Sequence, residues 1–356
     1  MTETTARSGT TTRNETATRN DTATRNVTAD REDRPPPPDR ADPTAIGAQR
    51  VALPGSDVKV GPLGHLAAER QRLDALRWEH FDVTRTSATL GAEVSGISLA
   101  DDLPDPVIAD LARALADYKV LFFRDQPLTT AQHVAFARRF GELEVHPFLP
   151  ANTDSPEVVR FAKSADVGGY ENGWHHDVTW REVPSMGAVL HAVEVPDSGG
   201  DTLFADAHAA LDELEPQLRE RVDGLLAVHD FVHVFGHTLS PDDLASMREL
   251  HPPVAHPVIA THDRTGRDHL YVNRFFVSHL TEADGEPLDP AESAQLIDAL
   301  CRPFETPELQ VRLRWEPDSV AFWDNRAVQH YACSDYWPDV RVMERASIVG
   351  TRPVRR

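Results

Sequence analysis

The sequence has little cysteine, a deficit of basic residues and no long apolar run. Its two cysteines, Cys301 and Cys333, are too few for a disulfide scaffold or a cysteine-rich zinc site. No apolar run approaches the roughly 18 residues that a membrane-spanning helix needs. Residues 1–30 contain neither the apolar core nor the cleavage pattern of a secretory signal. These absences predict a cytoplasmic protein that does not enter a membrane.

Acidic residues outnumber basic ones by 57 to 36, which gives a net charge of −21. Nucleic acids and anionic membranes are bound by basic surfaces that replace their counterions. A chain with this charge balance is therefore not expected to bind either of them. We expect its partner to be a small molecule.

The composition changes near residue 75. In residues 1–74 the triplet Thr-Arg-Asn recurs at 12–14, 18–20 and 24–26, and four prolines follow at 35–38. Polar, repetitive sequence of this kind buries too little surface to offset the entropy lost on ordering. We therefore predict a disordered low-complexity leader over residues 1–74 and one catalytic domain over residues 75–356.

The second part of the chain combines short β-type runs with a few helices. Amphipathic spacing predicts a helix from about Asp105, a capping-box pattern at Thr129 and Gln132 predicts another, and a third is expected over 211–225. The predicted strands lie at 120–124, 186–195, 268–273, 319–323 and 342–349. Short strands, proline-rich turns and few helices predict a mainly β fold with helices, a sandwich or jelly roll.

A candidate metal-binding pair lies at His175 and Asp177. Alternate residues of a strand share a face, so these two side chains would point together and His176 would point away. Composition alone predicts about 2.7 His-x-Asp/Glu triplets by chance, and the chain contains two. The other, His80 to Asp82, stands at the start of the folded part, and we interpret it as an ordinary structural histidine. A distal histidine, His330, completes the two-histidine, one-carboxylate set typical of non-haem iron(II) oxygenases.

Seven separated blocks, spread in order over residues 78–352, support that interpretation. They are 122–126, 140–143, 174–179, 199–203, 323–326, 329–332 and the arginines at 341 and 345. In these blocks the chain resembles the taurine/2-oxoglutarate dioxygenase (TauD/TfdA) family of non-haem Fe(II) dioxygenases, which includes herbicide-degrading and alkylsulfatase enzymes. The resemblance implies a double-stranded β-helix, which is a jelly-roll, cupin-like barrel. It also implies self-association as a homodimer or homotetramer.

The same resemblance implies how a metal and two cosubstrates bind. His175, Asp177 and His330 would hold Fe(II), while Thr202 and Arg341 would bind the distal carboxylate of 2-oxoglutarate; O2 is the second cosubstrate. A planar guanidinium can grip a carboxylate through two hydrogen bonds, and a hydroxyl can satisfy a remaining lone pair. The implied activity is that of a 2-oxoglutarate-dependent dioxygenase.

The substrate implied by the resemblance is a small organic anion, a sulfonate or a sulfate ester. The residues that would surround it are His146, Val178, Phe276 and Arg345. On a strand, Arg341 and Arg345 would project to one face, so that one can hold the cosubstrate and the other the substrate.

Four positions depart from the taurine-specific pattern. Leu149 stands where the pattern has a residue with an aromatic hydroxyl, and Glu171 stands where it has a residue with a polar amide. Arg274 and Phe275 would add positive charge and bulk at the rim of the substrate pocket. These departures keep a second hypothesis open, an oxygenase of a carboxylic or amino acid in a specialised pathway. A third is a zinc hydrolase or a non-enzyme on the same barrel, since two histidines and an aspartate also suit zinc. Neither a zinc hydrolase nor a non-enzyme would require Thr202 and Arg341, the residues expected to bind 2-oxoglutarate.

Two further histidines, His233 and His237, are four residues apart and would share a face of a helix. We interpret them as ordinary histidines. The segment from there to Pro257 corresponds to a variable region of the family near the active site, and we predict that it forms a mobile lid.

Overall fold

The computed structural model describes residues 50–55, 59–149, 151–152, 155–169 and 171–356. The predicted disordered leader lies largely outside these residues. Along the described chain, short strands alternate with helices. The strands are β1 (Val51–Ala52), β2 (Lys59–Val60), β3 (Asp82–Arg85), β4 (Ala92–Ser95), β5 (Val120–Phe123), β6 (Val158–Lys163), β7 (Ser185–Glu194), β8 (Thr202–Asp206), β9 (Leu226–His229), β10 (Val254–Pro257), β11 (Ile259–Thr261), β12 (Asp268–Leu270), β13 (Val277–Thr281), β14 (Gln310–Leu313), β15 (Val320–Asp324), β16 (Val328–Ala332) and β17 (Arg341–Val349). The α-helices are α1 (Leu66–Asp74), α2 (Asp105–Tyr118), α3 (Thr130–Arg138), α4 (Ala207–Asp212), α5 (Pro216–Val222), α6 (Val232–Phe235), α7 (Pro241–Leu250) and α8 (Pro290–Cys301).

Two sheets carry the site described below. The larger has seven strands in the order β3-β4-β5-β15-β7-β17-β6, and the smaller has the order β14-β8-β16. Within the larger sheet β4 and β5 run parallel, and the other neighbours run antiparallel. The fold is mainly β with helices, as the sequence predicts.

The residues of β15 alternate between two cores. Val320 and Phe322 pack into the core that α2 and α3 cover, whereas Ala321 and Trp323 pack into the core shared with the small sheet. Successive side chains of a strand point to opposite faces, so a strand buried on both faces is apolar throughout. The central strands are therefore fixed from both sides.

Several predicted elements are confirmed. Helix α2 begins at Asp105, and its Val107, Ile108 and Leu111 are buried. At α3 the Thr129 side chain accepts a hydrogen bond from the Gln132 backbone, and the Gln132 side chain accepts one from the Thr129 backbone, which completes the capping box. These patterns are local, so neighbouring residues suffice to define them.

The single helix expected over 211–225 is wrong. The chain forms two helices there, α4 and α5, and Leu225 lies beyond both. Glu215, just before Pro216, is extended, with φ −57 and ψ 139. Proline disfavours the helical conformation of the residue before it and lacks an N–H, so it begins a new helix more readily than it continues one.

Helix α1 lies inside the segment predicted to be leader. Leu66 and Leu73 are buried in it, and Glu69 forms ion pairs with Lys119 at 3.5 Å and Arg267 at 2.8 Å. Two apolar positions on a polar helix leave little trace in composition. This is why the predicted boundary between residues 74 and 75 comes after α1 and not before it. Within the described ranges, no helix has both the length and the apolar character required to cross a bilayer.

Buried histidines pack around Tyr271 behind the site. His229, His256 and His269 have ring centroids 6.0, 5.8 and 5.9 Å from that of Tyr271. Burial lowers the pKa of His269 to about 3, and burial also holds the pKa of His229 well below its usual value. The folded protein therefore keeps these rings neutral.

We predict that the free energy of unfolding falls as the pH is lowered below about 6.5. Once unfolded, these histidines bind protons that the folded state does not bind. For His269, whose folded-state pKa is about 3, this costs about 2 kcal/mol of stability at pH 5. Denaturant unfolding at pH 7.5 and pH 5 measures the difference. His269→Gln should remove about one such increment, and His233→Gln, at an exposed position, should remove none. A wild-type stability equal at both pH values would contradict the prediction.

Candidate metal centre and its cavity

A backbone bridge brings the distal histidine to the histidine–aspartate pair. The His175 N–H donates to the His330 carbonyl at 3.1 Å, and the His330 N–H donates to the His175 carbonyl at 2.8 Å. One potential ligand atom from each of His175, Asp177 and His330 lies within 4.8 Å of the others. The predicted triad therefore comes together and is buried.

The expected alternation of side chains holds, although the element is smaller than predicted. His175 takes part in an isolated bridge and not in a strand. His175 and Asp177 both line one cavity. His176 instead packs against Tyr271, with ring centroids 4.9 Å apart.

The orientation of the ring leaves one nitrogen of His175 for a ligand. Its Nδ1–H donates to the Gly173 carbonyl at 2.8 Å, so the lone pair is on Nε2. That Nε2 lies 3.8 Å from Asp177 Oδ1, and His330 Nε2 lies 3.8 Å from Asp177 Oδ2. Three donor atoms thus converge on one point.

The charge states suit cation binding. Burial by itself would raise the pKa of Asp177, but the Arg345 guanidinium, 2.9 Å from Oδ1, and the neighbouring histidines lower it to about 2. Burial, followed by the nearby His175, lowers the pKa of His330 to about 3. The group therefore offers two neutral imidazoles and a carboxylate at neutral pH.

A strained turn follows Asp177. Val178 has φ +47, which a β-branched residue rarely adopts and which costs of the order of 1–3 kcal/mol. Asn325 fixes the backbone just before it, because its Oδ1 accepts from the Asp177 N–H at 2.7 Å and its Nδ2 donates to the Asp177 carbonyl at 3.0 Å. The same amide reaches the Ser185 carbonyl at 3.1 Å. Asn325 thus anchors the segment that carries the carboxylate.

One end of the cavity is built around a buried guanidinium. Nε and Nη2 of Arg341 are buried and have no hydrogen-bond partner among the described residues. Thr202 lines the same cavity, and its Oγ1 accepts from Trp315 Nε1 at 2.9 Å, which leaves the hydroxyl hydrogen available to donate. The Trp315 ring also lies 6.0 Å from the Arg341 guanidinium carbon. This end has the donors needed for an anion.

The other end holds the residues predicted to surround a substrate. His146, Val178, Phe276 and Arg345 line the cavity together with the triad, Thr202 and Arg341. The structure therefore brings all nine predicted site residues to one cavity. Arg341, Met343 and Arg345 share a face of β17, as their spacing predicts.

The prediction for the rim is correct for bulk and wrong for charge. Phe275 lines the cavity, and its ring stacks on that of His175 at 4.7 Å with an angle of 10°. Arg274 does not line the cavity. Its guanidinium pairs with Glu305 at 2.6 Å and Asp298 at 2.8 Å, because acidic side chains near α8 hold it on the outside.

The alternative histidines stay outside the metal centre. His80 Nδ1 lies 2.7 Å from Asp110 Oδ2 in an ordinary surface pair. His233 and His237 are exposed. Where residues are described, the triad is the one group of three or more histidine, cysteine, aspartate or glutamate residues with ligand atoms this close to one another.

Comparisons with known proteins agree with this geometry. The family model "Taurine catabolism dioxygenase TauD, TfdA family" matches residues 81–347. The chain belongs to this family. A "taurine dioxygenase" crystal structure from Burkholderia xenovorans is 34% identical, with a TM-score of 0.66, and the match covers 78% of this chain and 91% of that one.

Two relatives carry more specific names. The "Alpha-ketoglutarate-dependent sulfate ester dioxygenase" of Pseudomonas putida is 35% identical over 283 residues, which cover 77% of this chain and 91% of the relative. The "(S)-phenoxypropionate/alpha-ketoglutarate-dioxygenase" of Sphingobium herbicidovorans is 37% identical over 290 residues, 76% of this chain and 95% of the relative. The resemblance found in the sequence is thereby confirmed.

Sequence reasoning missed two residues that support the site of this TauD, TfdA family member. Asn325 lies inside a block that carries the resemblance, but its partner is 148 positions away. Trp315 continues the alternation of Val311 and Leu313, all three in the core between the sheets. That alternation could have placed Trp315 inside, although its bond to Thr202 spans 113 positions and leaves no local signal.

We predict that Asn325→Ala lowers the free energy of unfolding by about 2–4 kcal/mol, because buried groups of Asp177 and Ser185 lose their partners. Affinity for a divalent metal should fall about 10–100-fold, since outer partners fix the ligands. Chemical denaturation and metal titration by calorimetry measure the two effects. The exposed Asn172→Ala is the matched control. Lost stability with unchanged metal affinity would mean that Asn325 does not position Asp177.

Proposed function

We propose that this chain is an Fe(II)- and 2-oxoglutarate-dependent dioxygenase that hydroxylates a small organic anion, a sulfonate or a sulfate ester. His175, Asp177 and His330 would hold the metal. The proposal depends above all on one observation, a buried two-histidine, one-aspartate group that shares a cavity with the buried, unpartnered Nε and Nη2 of Arg341.

The residues present fit Fe(II). Two imidazole nitrogens and a carboxylate form the facial set that leaves further positions open on an octahedral ion. Asp177 Oδ2 is buried and lacks a hydrogen-bond partner within the described part of the chain, which is costly unless a cation satisfies it. Arg345, the other partner of this carboxylate, keeps it ionised.

The residues present also fit 2-oxoglutarate. Arg341 offers two buried N–H groups, and Thr202 offers a hydroxyl hydrogen oriented by Trp315. A carboxylate would satisfy these donors through charge-assisted hydrogen bonds. A zinc hydrolase or a passive metal-binding protein would not need them, so this end of the cavity favours the oxygenase.

Bound Fe(II), with 2-oxoglutarate and O2, supplies the oxidation of a substrate C–H bond, which the protein directs. The overall change is R–H + 2-oxoglutarate + O2 to R–OH + succinate + CO2. If the carbon carries a sulfate ester oxygen, its hydroxylated product collapses to an aldehyde, releasing sulfate and a proton. The names of the sulfate ester relative and of the taurine dioxygenase support such a head group for this chain.

The chain's own residues would bind and aim the substrate. Arg345 and His146 line the cavity beside the triad and offer N–H donors to an anion. The walls exclude water from the reacting carbon, because Val178, Phe275 and Phe276 border the same space.

Four broader predictions belong to the same proposal. We infer that the two sheets are parts of a double-stranded β-helix, in keeping with the family. We also propose a cytoplasmic location and self-association as a homodimer or homotetramer. The segment with α6 and α7 remains our predicted lid, since Val234 and Phe235 of α6 line the cavity.

We predict that His175→Ala abolishes both metal-dependent signals of the enzyme. Anaerobic addition of Fe(II) and 2-oxoglutarate should give the wild type a weak visible charge-transfer band, and O2 should then release succinate. His80→Ala is the matched control from the second His-x-Asp triplet and should retain both signals. Equal loss in the two variants, or no band in the wild type, would contradict the metal assignment.

We predict that the two arginines of β17 have separate kinetic effects. Arg341→Lys should raise the KM for 2-oxoglutarate at least about tenfold, because it removes the planar pair of donors. Arg345→Lys should mainly raise the KM for the substrate, since its positive charge beside Asp177 is kept. Steady-state succinate assays with either ligand varied separate the two. Exchanged phenotypes would reverse the assigned roles.

A further inference from the structure

We propose that the substrate of this site carries an apolar hydrocarbon tail and no ammonium group. This inference rests on the proposed function and specifies its substrate. It follows from an apolar chamber that forms part of the cavity wall beside the metal centre. The chamber is lined by Leu149, Val178, Trp180, Val234, Phe235 and Phe276.

The chamber is a built part of the site. Its aromatic rings pack on one another, with Phe235 stacked at 28° on Phe276 and at 22° on Phe148. Phe148 stacks in turn on Phe231, with centroids 5.2 Å apart. Separate segments of the chain contribute these side chains to one cluster that borders the cavity. An apolar wall that persists up to the metal centre favours an apolar ligand group.

The charges around the cavity argue against a substrate ammonium. Among the described residues that line it, the carboxylates are Glu171 and Asp177. Glu171 pairs with Lys163 at 3.0 Å, and Asp177 pairs with Arg345 at 2.9 Å. An ammonium in the chamber would therefore be buried without a carboxylate of its own, which is costly.

The anionic head group has donors at the junction of the chamber and the metal centre. His146 Nδ1 accepts from the N–H groups of Phe148 and Leu149, both at 3.1 Å, so its proton is on Nε2 and can be donated. Arg345 Nε is buried and has no partner in the described ranges. With the head held at His146 and Arg345, the chamber receives the tail.

Calorimetric titration tests this inference. Sulfonates are titrated under anaerobic conditions into the whole chain already loaded with Fe(II) and 2-oxoglutarate. Taurine and propane-1-sulfonate have the same head and chain and differ at one end, –NH3+ against –CH3. We expect propane-1-sulfonate to bind at least about tenfold more tightly. From propane- to hexane-1-sulfonate, each added CH2 should tighten binding about fourfold until the chamber is full, with an increasingly negative heat-capacity change.

Variants of the chamber should change selectivity. Phe235→Ala should reduce the gain per CH2 to about twofold or less, because it removes apolar surface that the tail would contact. Should it fail to fold, Val234→Glu gives the reverse test, because a carboxylate in the chamber should make taurine the better ligand. Leu250→Ala, at the exposed end of α7, is the control and should retain the wild-type gain per CH2.

The outcomes distinguish this inference from the function on which it rests. If taurine binds as tightly as propane-1-sulfonate, or if chain length has no effect, the apolar-tail inference is overturned even when O2-dependent succinate is produced. If the alkyl series binds as expected but no sulfonate or sulfate ester gives O2-dependent succinate, the proposed oxygenase fails and the chamber assignment stands.

Discussion

The site depends on one pair of backbone hydrogen bonds, those between His175 and His330. The residues are 155 positions apart in sequence, and each donates to the other's carbonyl. His330 is fixed because β16 is paired with β8 in the small sheet, so the bridge transfers that rigidity to a segment that belongs to no strand. Asp177 then follows two residues later, and Asn325 holds its backbone on the other side.

The residues that the bridge brings together are buried, so each charge in the cavity requires a partner. Arg345 and Asp177 satisfy each other in part, and the two remaining requirements are a cation beside Asp177 Oδ2 and an anion beside Arg341. In a low-dielectric cavity these requirements are strong, since an unpaired buried charge costs far more than an exposed one. The arrangement therefore favours a metal and a carboxylate together over either of them alone.

Much of this could be predicted from sequence, and the limits are physical. The capping box at Thr129 and the shared face of Arg341 and Arg345 are encoded by neighbours, so local patterns are enough. The break before Pro216 is equally local, but the apolar spacing over 211–225 continues across the proline and by itself predicts a single helix. The contacts of Asn325 with Asp177 and of Trp315 with Thr202 join residues that are 148 and 113 positions apart, and a single sequence carries no local signal for them.

Phe275 and Gly173 are two distant positions whose residues depend on each other. A Cβ on Gly173 would lie 2.0 Å from Phe275 Cε1, so a side chain at 173 and the phenyl ring exclude each other. The glycine carbonyl accepts from His175 Nδ1 while the ring stacks on the imidazole, and both contacts fix the same ligand. Asn273 holds the ring in place by accepting from the Phe275 and Phe276 N–H groups. Since this bulk occupies the space beside His175, a substrate tail is directed toward the chamber bordered by Phe235.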